Sequence, residues 1–91
     1  MNIAVITGAS AGLGREYAKA VNKMRSDIEE IWLIARRKEK LQEVAKLLTK
    51  PVRILDLDIT NNNHIETYEN LLKTENANVK LLINNAGCGK L

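Results

Sequence analysis

Four short apolar runs, separated by stretches with helical spacing, constrain this chain more than any other feature. The runs are residues 2–7, 31–35, 52–57 and 79–84, and each contains apolar residues at successive positions. A strand that is apolar on both faces has to be covered on both sides, which is the situation of a parallel sheet enclosed by helices. The intervening stretches supply the cover. Residues 12–24 carry Leu13, Tyr17, Ala20, Val21 and Met24 at helical spacing, and residues 38–48 repeat the period through Leu41, Val44, Ala45 and Leu48. Residues 62–73 do so again through Ile65, Tyr68, Leu71 and Leu72, with Thr60 or one of Asn61 to Asn63 available as the cap. Pro51 punctuates the chain before the third run.

The order is therefore βαβαβαβ, an α/β class with a three-layer parallel sheet and flanking helices joined by right-handed crossovers. Pattern alone leaves both doubly wound strand orders open, and the Rossmann-like order 3-2-1-4 is the favoured one. In that order the chain reverses direction between strands one and four. The loops after Thr7 and Asn84 then meet at the carboxyl edge of the sheet, where such folds bind ligands.

Composition excludes several alternatives. With 91 residues, 45% hydrophobic and 27% charged, the chain has the make-up of one small globular domain, neither disordered nor membranous. No apolar run approaches the roughly 20 residues needed to span a bilayer. The start, Met1-Asn2-Ile3-Ala4-Val5, has no basic segment or cleavage site, so a cytoplasmic location is expected. Cys88 is the single cysteine, which rules out an internal disulfide, and no Cys/His cluster with metal-ligand spacing exists. The net charge of +3 resides in Arg36, Arg37, Lys38, Glu39 and Lys40. With only Trp32, Tyr17 and Tyr68 as aromatics, stacking platforms for nucleic acid are lacking, and no nucleic-acid partner is expected.

The loop after the first run reads Thr7-Gly8-Ala9-Ser10-Ala11-Gly12-Leu13-Gly14 and leads directly into a helix. Glycines there let the backbone approach a ligand, while the free N–H groups and dipole of the helix start favour a phosphate. Ser10 adds a hydroxyl donor. The spacing fits neither the GxGxxG fingerprint nor a Walker loop.

Thr-Gly-x-x-x-Gly-x-Gly at residues 7–14, with Asn84-Asn85-Ala86-Gly87 after the fourth run, resembles the short-chain dehydrogenase/reductase family in its standard branch. Asp58-Ile59-Thr60 and Ala35-Arg36-Arg37 extend the resemblance along the whole chain. The resemblance implies that Gly8, Ser10, Ala11, Gly12, Leu13 and Gly14 line the pyrophosphate and nicotinamide-ribose side of a nicotinamide dinucleotide. Asp58 and Ile59 would flank the adenine, the carboxylate accepting from its amino group. Asn85, Ala86 and Gly87 would border the adenosine ribose, and Asn84 and Asn85 could also serve as turn residues that satisfy their own backbone.

Arg36 is the most informative single residue. Members that use NAD usually have an acidic residue at the end of the second strand, whereas a 2′-phosphate needs a cation there. This chain offers Ala35-Arg36-Arg37 and no carboxylate until Glu39. A guanidinium meets phosphate with paired, charge-assisted hydrogen bonds, so NADP(H) is expected in preference to NAD(H). Arg37, Lys38 and Lys40 read equally as a solvated helix start; Arg37 stays beside Arg36 among the cofactor candidates.

The family's reaction, hydride transfer between nicotinamide and a carbonyl or alcohol carbon, uses a tyrosine with a lysine four residues later and a serine upstream. Here Val21 follows Tyr17 and Leu72 follows Tyr68 at that spacing, so no catalytic residue is assigned. Both tyrosines are expected in the core and His64 is expected exposed. The resemblance thus covers an N-terminal cofactor-binding part, with the catalytic part absent. The fourth strand would form an apolar edge, for which a homodimer or larger assembly is expected. The alternative function is a non-catalytic nucleotide-binding or self-associating module.

Overall fold

A computed structural model describes residues 1–10 and 12–85. Within these residues the elements are β1 (Asn2–Thr7), α1 (Gly12–Met24), β2 (Glu30–Ala35), α2 (Lys38–Ala45), β3 (Val52–Asp56), α3 (Asn62–Thr74) and β4 (Asn78–Asn84). All strand pairings are parallel, and the sheet runs β3-β2-β1-β4. The expected strand order and the expected apolar cover on both faces are both present.

Alternate strand residues serve opposite faces, as the pleat requires. Ala4, Ile6, Ile31 and Leu33 pack with Ala18 and Val21 of α1 and Leu41 and Val44 of α2. Ile3, Val5, Trp32, Ile34 and Leu55 face the other way, against Tyr68, Leu71 and Leu72 of α3. The first layer is closed and the second is not, since α3 contains no fully buried residue. Leu82 on β4 is 58% exposed and Ile65 on α3 38% exposed.

The face of α1 differs from the expected one. Its buried residues are Gly14, Ala18 and Val21, whereas Leu13, Tyr17 and Met24 are exposed. Tyr17 is therefore not a core residue. The cause is steric: a Cβ at Gly14 would stand 2.1 Å from the Gly8 carbonyl oxygen and 2.9 Å from the Ala9 Cα. Backbone packed that closely admits only small residues, so the helix turns its small stripe, not its large apolar residues, toward the sheet.

Boundaries also differ from expectation: β2 begins one residue earlier, at Glu30, and α3 ends one later, at Thr74. Helix α2 ends at Ala45, where the Leu47 and Leu48 amides donate three residues back to Val44 and Ala45 and tighten the last turn. Asn22 Oδ1 then takes the Thr49 and Lys50 amides at 3.0 and 2.9 Å. Strand β3 stops at Asp56, one residue short of expectation. Strand β4 starts at Asn78, and its register against β1 shifts between Ile3 and Ala4, so that Val79 and Leu81 are matched and Lys80 is bulged out.

Candidate functional site

The carboxyl ends of β1 and β4 are tied by side chains. Thr7, buried at the end of β1, donates through Oγ1 to Asn84 Oδ1 at 2.9 Å. Asn85 donates through Nδ2 to the Gly8 carbonyl oxygen at 3.1 Å. Two stretches 77 residues apart in the chain are thus held side by side at the point where strand order reverses. The Ala9 amide donates to the Ile34 carbonyl at 3.3 Å, which anchors the same loop to the end of β2.

Within this frame the loop residues divide into two roles. Gly8 and Gly12 have φ of 62° and 59°, in the left-handed region that favours glycine. A Cβ at Gly12 would meet nothing within 4 Å, so the start of α1 opens onto free space. Leu13 beside it is 61% exposed, Ser10 is partly exposed, and no acid occupies the first turn of α1. This is an anion-compatible helix start left without a negatively charged side chain of its own. Gly14, expected on the same pyrophosphate side, is buried under the loop, where the lack of a Cβ lets α1 approach the Gly8-Ala9 backbone.

Arg36 and Arg37 follow β2 and are exposed. Neither forms an ion pair with another described residue, and Arg37 occupies the N-cap position of α2 without a side-chain capping bond. Beyond β3, Asp58 Oδ1 accepts from the Thr60 amide at 2.9 Å and from Thr60 Oγ1 at 2.6 Å. Those bonds hold its carboxyl below the usual carboxylate range against the desolvation that opposes them, and the charge of Arg36 acts in the same direction as the bonds. Arg36 and Asp58, from neighbouring strand ends, therefore share one electrostatic neighbourhood. Ile59 is partly buried against the α3 side of the sheet.

His64 departs from expectation. It is partly buried, and its Nδ1 accepts the Asp58 backbone N–H at 2.8 Å. It reaches this place because Asn61 caps α3, accepting from the Asn63 and His64 amides. A polar run of three asparagines conceals a ring that is turned inward, and no periodicity signal could have found it. Next to His64, a cavity of about 240 Å³ separates α3 from the sheet, lined by Val5, Ile34, Leu57, Ile65, Tyr68 and Leu82. Thr7 and Asn84 form its polar end. Tyr68 is half-buried there, edge-on to Trp32 with ring centroids 6.3 Å apart, and burial pushes its phenol up.

The candidate residues Ala11, Ala86 and Gly87 lie outside the described residues, as does Cys88. Among the described residues no group of His, Cys, Asp and Glu could hold a metal ion. No helix among them is long and apolar enough to cross a membrane.

The comparisons with known proteins agree with this geometry. The short chain dehydrogenase family model matches residues 2–91. An uncharacterized oxidoreductase of Staphylococcus epidermidis is 28% identical over 85 residues, which are 93% of this chain and 36% of that protein. One from Staphylococcus aureus is 31% identical over 86 residues, again 93% of this chain and 36% of the relative. Among solved structures, serine dehydrogenase from Escherichia coli superposes with a TM-score of 0.76 at 33% identity, over 96% of this chain and 38% of that one. A metagenomic short-chain oxidoreductase in complex with NADP gives 0.75 at 28% identity, over 94% of this chain and 39% of that one. The bulky-bulky ketone specific alcohol dehydrogenase of Comamonas testosteroni gives 0.79 at 26% identity, over 96% of this chain and 35% of that one. The chain spans little more than a third of the length of the relatives it matches. Motifs, strand order and the matched family model converge, and the chain belongs to the short-chain dehydrogenase family.

Proposed function

We propose that this chain is the NADP(H)-binding portion of a short-chain oxidoreductase, acting in the cytoplasm, that transfers hydride between nicotinamide and a carbonyl or alcohol carbon. The observation that carries the reading is the apposition of the Gly8 and Asn85 loops at the switch point, with the start of α1 open in front of them. A bound reduced nicotinamide supplies the hydride. The chain's own residues bind and orient: Gly8, Ser10, Ala11, Gly12 and Leu13 present backbone and hydroxyl donors to the pyrophosphate, and Gly14 sets how closely α1 follows. Asp58 and Ile59 take the adenine side, and Asn85, Ala86 and Gly87 the ribose. No tyrosine here has a lysine four residues on, so proton transfer falls to residues beyond this portion.

NADP(H) is favoured over NAD(H) because Arg36 is exposed, forms no ion pair with another described residue and follows the end of β2, with Arg37 beside it. A charge-assisted contact to a 2′-phosphate is worth about 1.5–3 kcal/mol, roughly ten- to a hundredfold in affinity. Titration calorimetry of NADPH and NADH tests this. Arg36→Ala is expected to weaken NADPH by that factor and leave NADH unchanged, and equal affinities of the unaltered chain for both nucleotides would defeat the assignment.

A second reading, a self-associating nucleotide-binding module, is favoured by the exposed apolar edge of β4, where Val79 is 37% and Leu82 58% exposed.

A further inference from the structure

The Asp58 backbone N–H donates to His64 Nδ1 at 2.8 Å. A ring nitrogen that accepts a hydrogen bond keeps its lone pair, so this contact requires an unprotonated Nδ1 with the ring proton on Nε2. The bond spans the turn of residues 58–61, which is otherwise closed by the Asn61 amide donating to the Asp58 carbonyl and by Asp58 Oδ1 accepting twice from Thr60. His64 is thus the clasp from α3 onto the turn that presents Asp58 and Ile59. We infer that His64 is a positioning residue for the adenine side of the nucleotide site, holding the Asp58-Ile59 turn while neutral and releasing it when protonated. This inference rests on the NADP(H) reading for its effect on binding.

The surroundings of the ring determine what a second proton does. Asp58, on the loop after β3, is the carboxylate within electrostatic reach of His64, and Arg36 at the end of β2 acts on that same carboxylate. Tyr68, one turn further along α3, lines the same cavity with its phenol kept neutral by burial. Thr7 and Asn84, from β1 and β4, are uncharged. Protonated Nδ1 becomes a donor facing the donor N–H of Asp58, and that contact is lost. The available acceptor is the Asp58 carboxylate, whose Oδ1 already serves Thr60. Either exchange disrupts the turn.

Two measurements separate this inference from the cofactor reading. The first follows the Asp58 amide by ¹H–¹⁵N NMR across pH in the nucleotide-free chain, and the second follows NADPH affinity by calorimetry from about pH 8 to about pH 5.5. His64→Asn keeps an acceptor near the Nδ1 position without the titration; His64→Leu removes the acceptor. In the unaltered chain the Asp58 amide is expected to shift with the imidazole, and NADPH affinity to fall about three- to tenfold more than in His64→Asn. The 2′-phosphate of the nucleotide takes up a proton near pH 6 and contributes equally to all three chains. His64→Leu is expected to be weaker at the upper pH by the same three- to tenfold factor. Identical pH profiles for the unaltered chain and His64→Asn, or an Asp58 amide that does not titrate, would overturn the inference. Absence of NADPH binding at every pH in every chain would overturn the cofactor reading instead, while the amide titration would still decide whether His64 holds the turn.

Discussion

Single residues in this chain carry more than their motif suggests, and Gly14 is the clearest case. The resemblance places it at a nucleotide cradle, and in the fold backbone atoms of Gly8 and Ala9 stand where its Cβ would have to go. Gly14→Ala is therefore expected to destabilise the fold by about 1–3 kcal/mol through overpacking. Urea denaturation checks it, and an unchanged midpoint would contradict the packing role. The acid response belongs to this scale as well. Asp27 is held at about 2, against an ordinary 3.8, mainly by its hydrogen bond from Arg25, and Asp58 is lowered mainly by Thr60. A carboxylate with a depressed folded-state pKa stabilises above its unfolded value and loses that contribution as pH falls through the folded one. Stability is thus expected to decline from about 3.8 down to about 2, and Asp27→Asn to flatten the decline in thermal unfolding followed against pH. Asp27 is exposed and Asp58 only partly buried, so the effect is small. An Asp27→Asn profile as steep as the original would remove the Arg25–Asp27 pair from the acid response.

Elements were legible in the sequence to the extent that hydrophobic pattern determines them. Seven alternating elements, their order and the carboxyl-edge convergence of two loops could be read from apolar runs and helical spacing, because burial on both faces of a parallel sheet writes itself directly into composition. The face of α1 could not. Periodicity weights large apolar side chains such as Leu13, Tyr17 and Met24, whereas close backbone approach selects Gly14, Ala18 and Val21. The end of α2 was equally hidden, since Asn22, on another helix, takes the Thr49 and Lys50 amides. The inward turn of His64 depends on the same kind of long-reach polar contact. The cap of α3, by contrast, fell within the four residues that the sequence offered. Asn61 accepts from the Asn63 and His64 amides, and Asn61→Ala is expected to cost about 1 kcal/mol of stability. Hydrogen exchange confined to faster opening of α3 would support this, and unaltered exchange there would contradict it.

At the scale of the whole molecule the two faces of the sheet are unequal. One is closed by α1 and α2, while on the other α3 leaves a cavity and an exposed Leu82 beside the outer edge of β4, which pairs with no further strand among the described residues. An apolar, unpaired strand edge is a template for association, and self-association through β4 is our proposal for this chain. Light scattering after size-exclusion chromatography is expected to show a mass that rises with concentration and falls toward the monomer in Leu82→Lys. A clean monomer at high concentration would contradict it.

The central claim is that loops from opposite ends of the described chain form one dinucleotide cradle, and NMR chemical-shift mapping on addition of NADPH tests it most directly. Simultaneous perturbation of the Gly8, Gly12, Arg36, Asp58 and Asn85 amides is the predicted result. Perturbation of only one of these segments, or shifts confined to the opposite edge of the sheet, would contradict it.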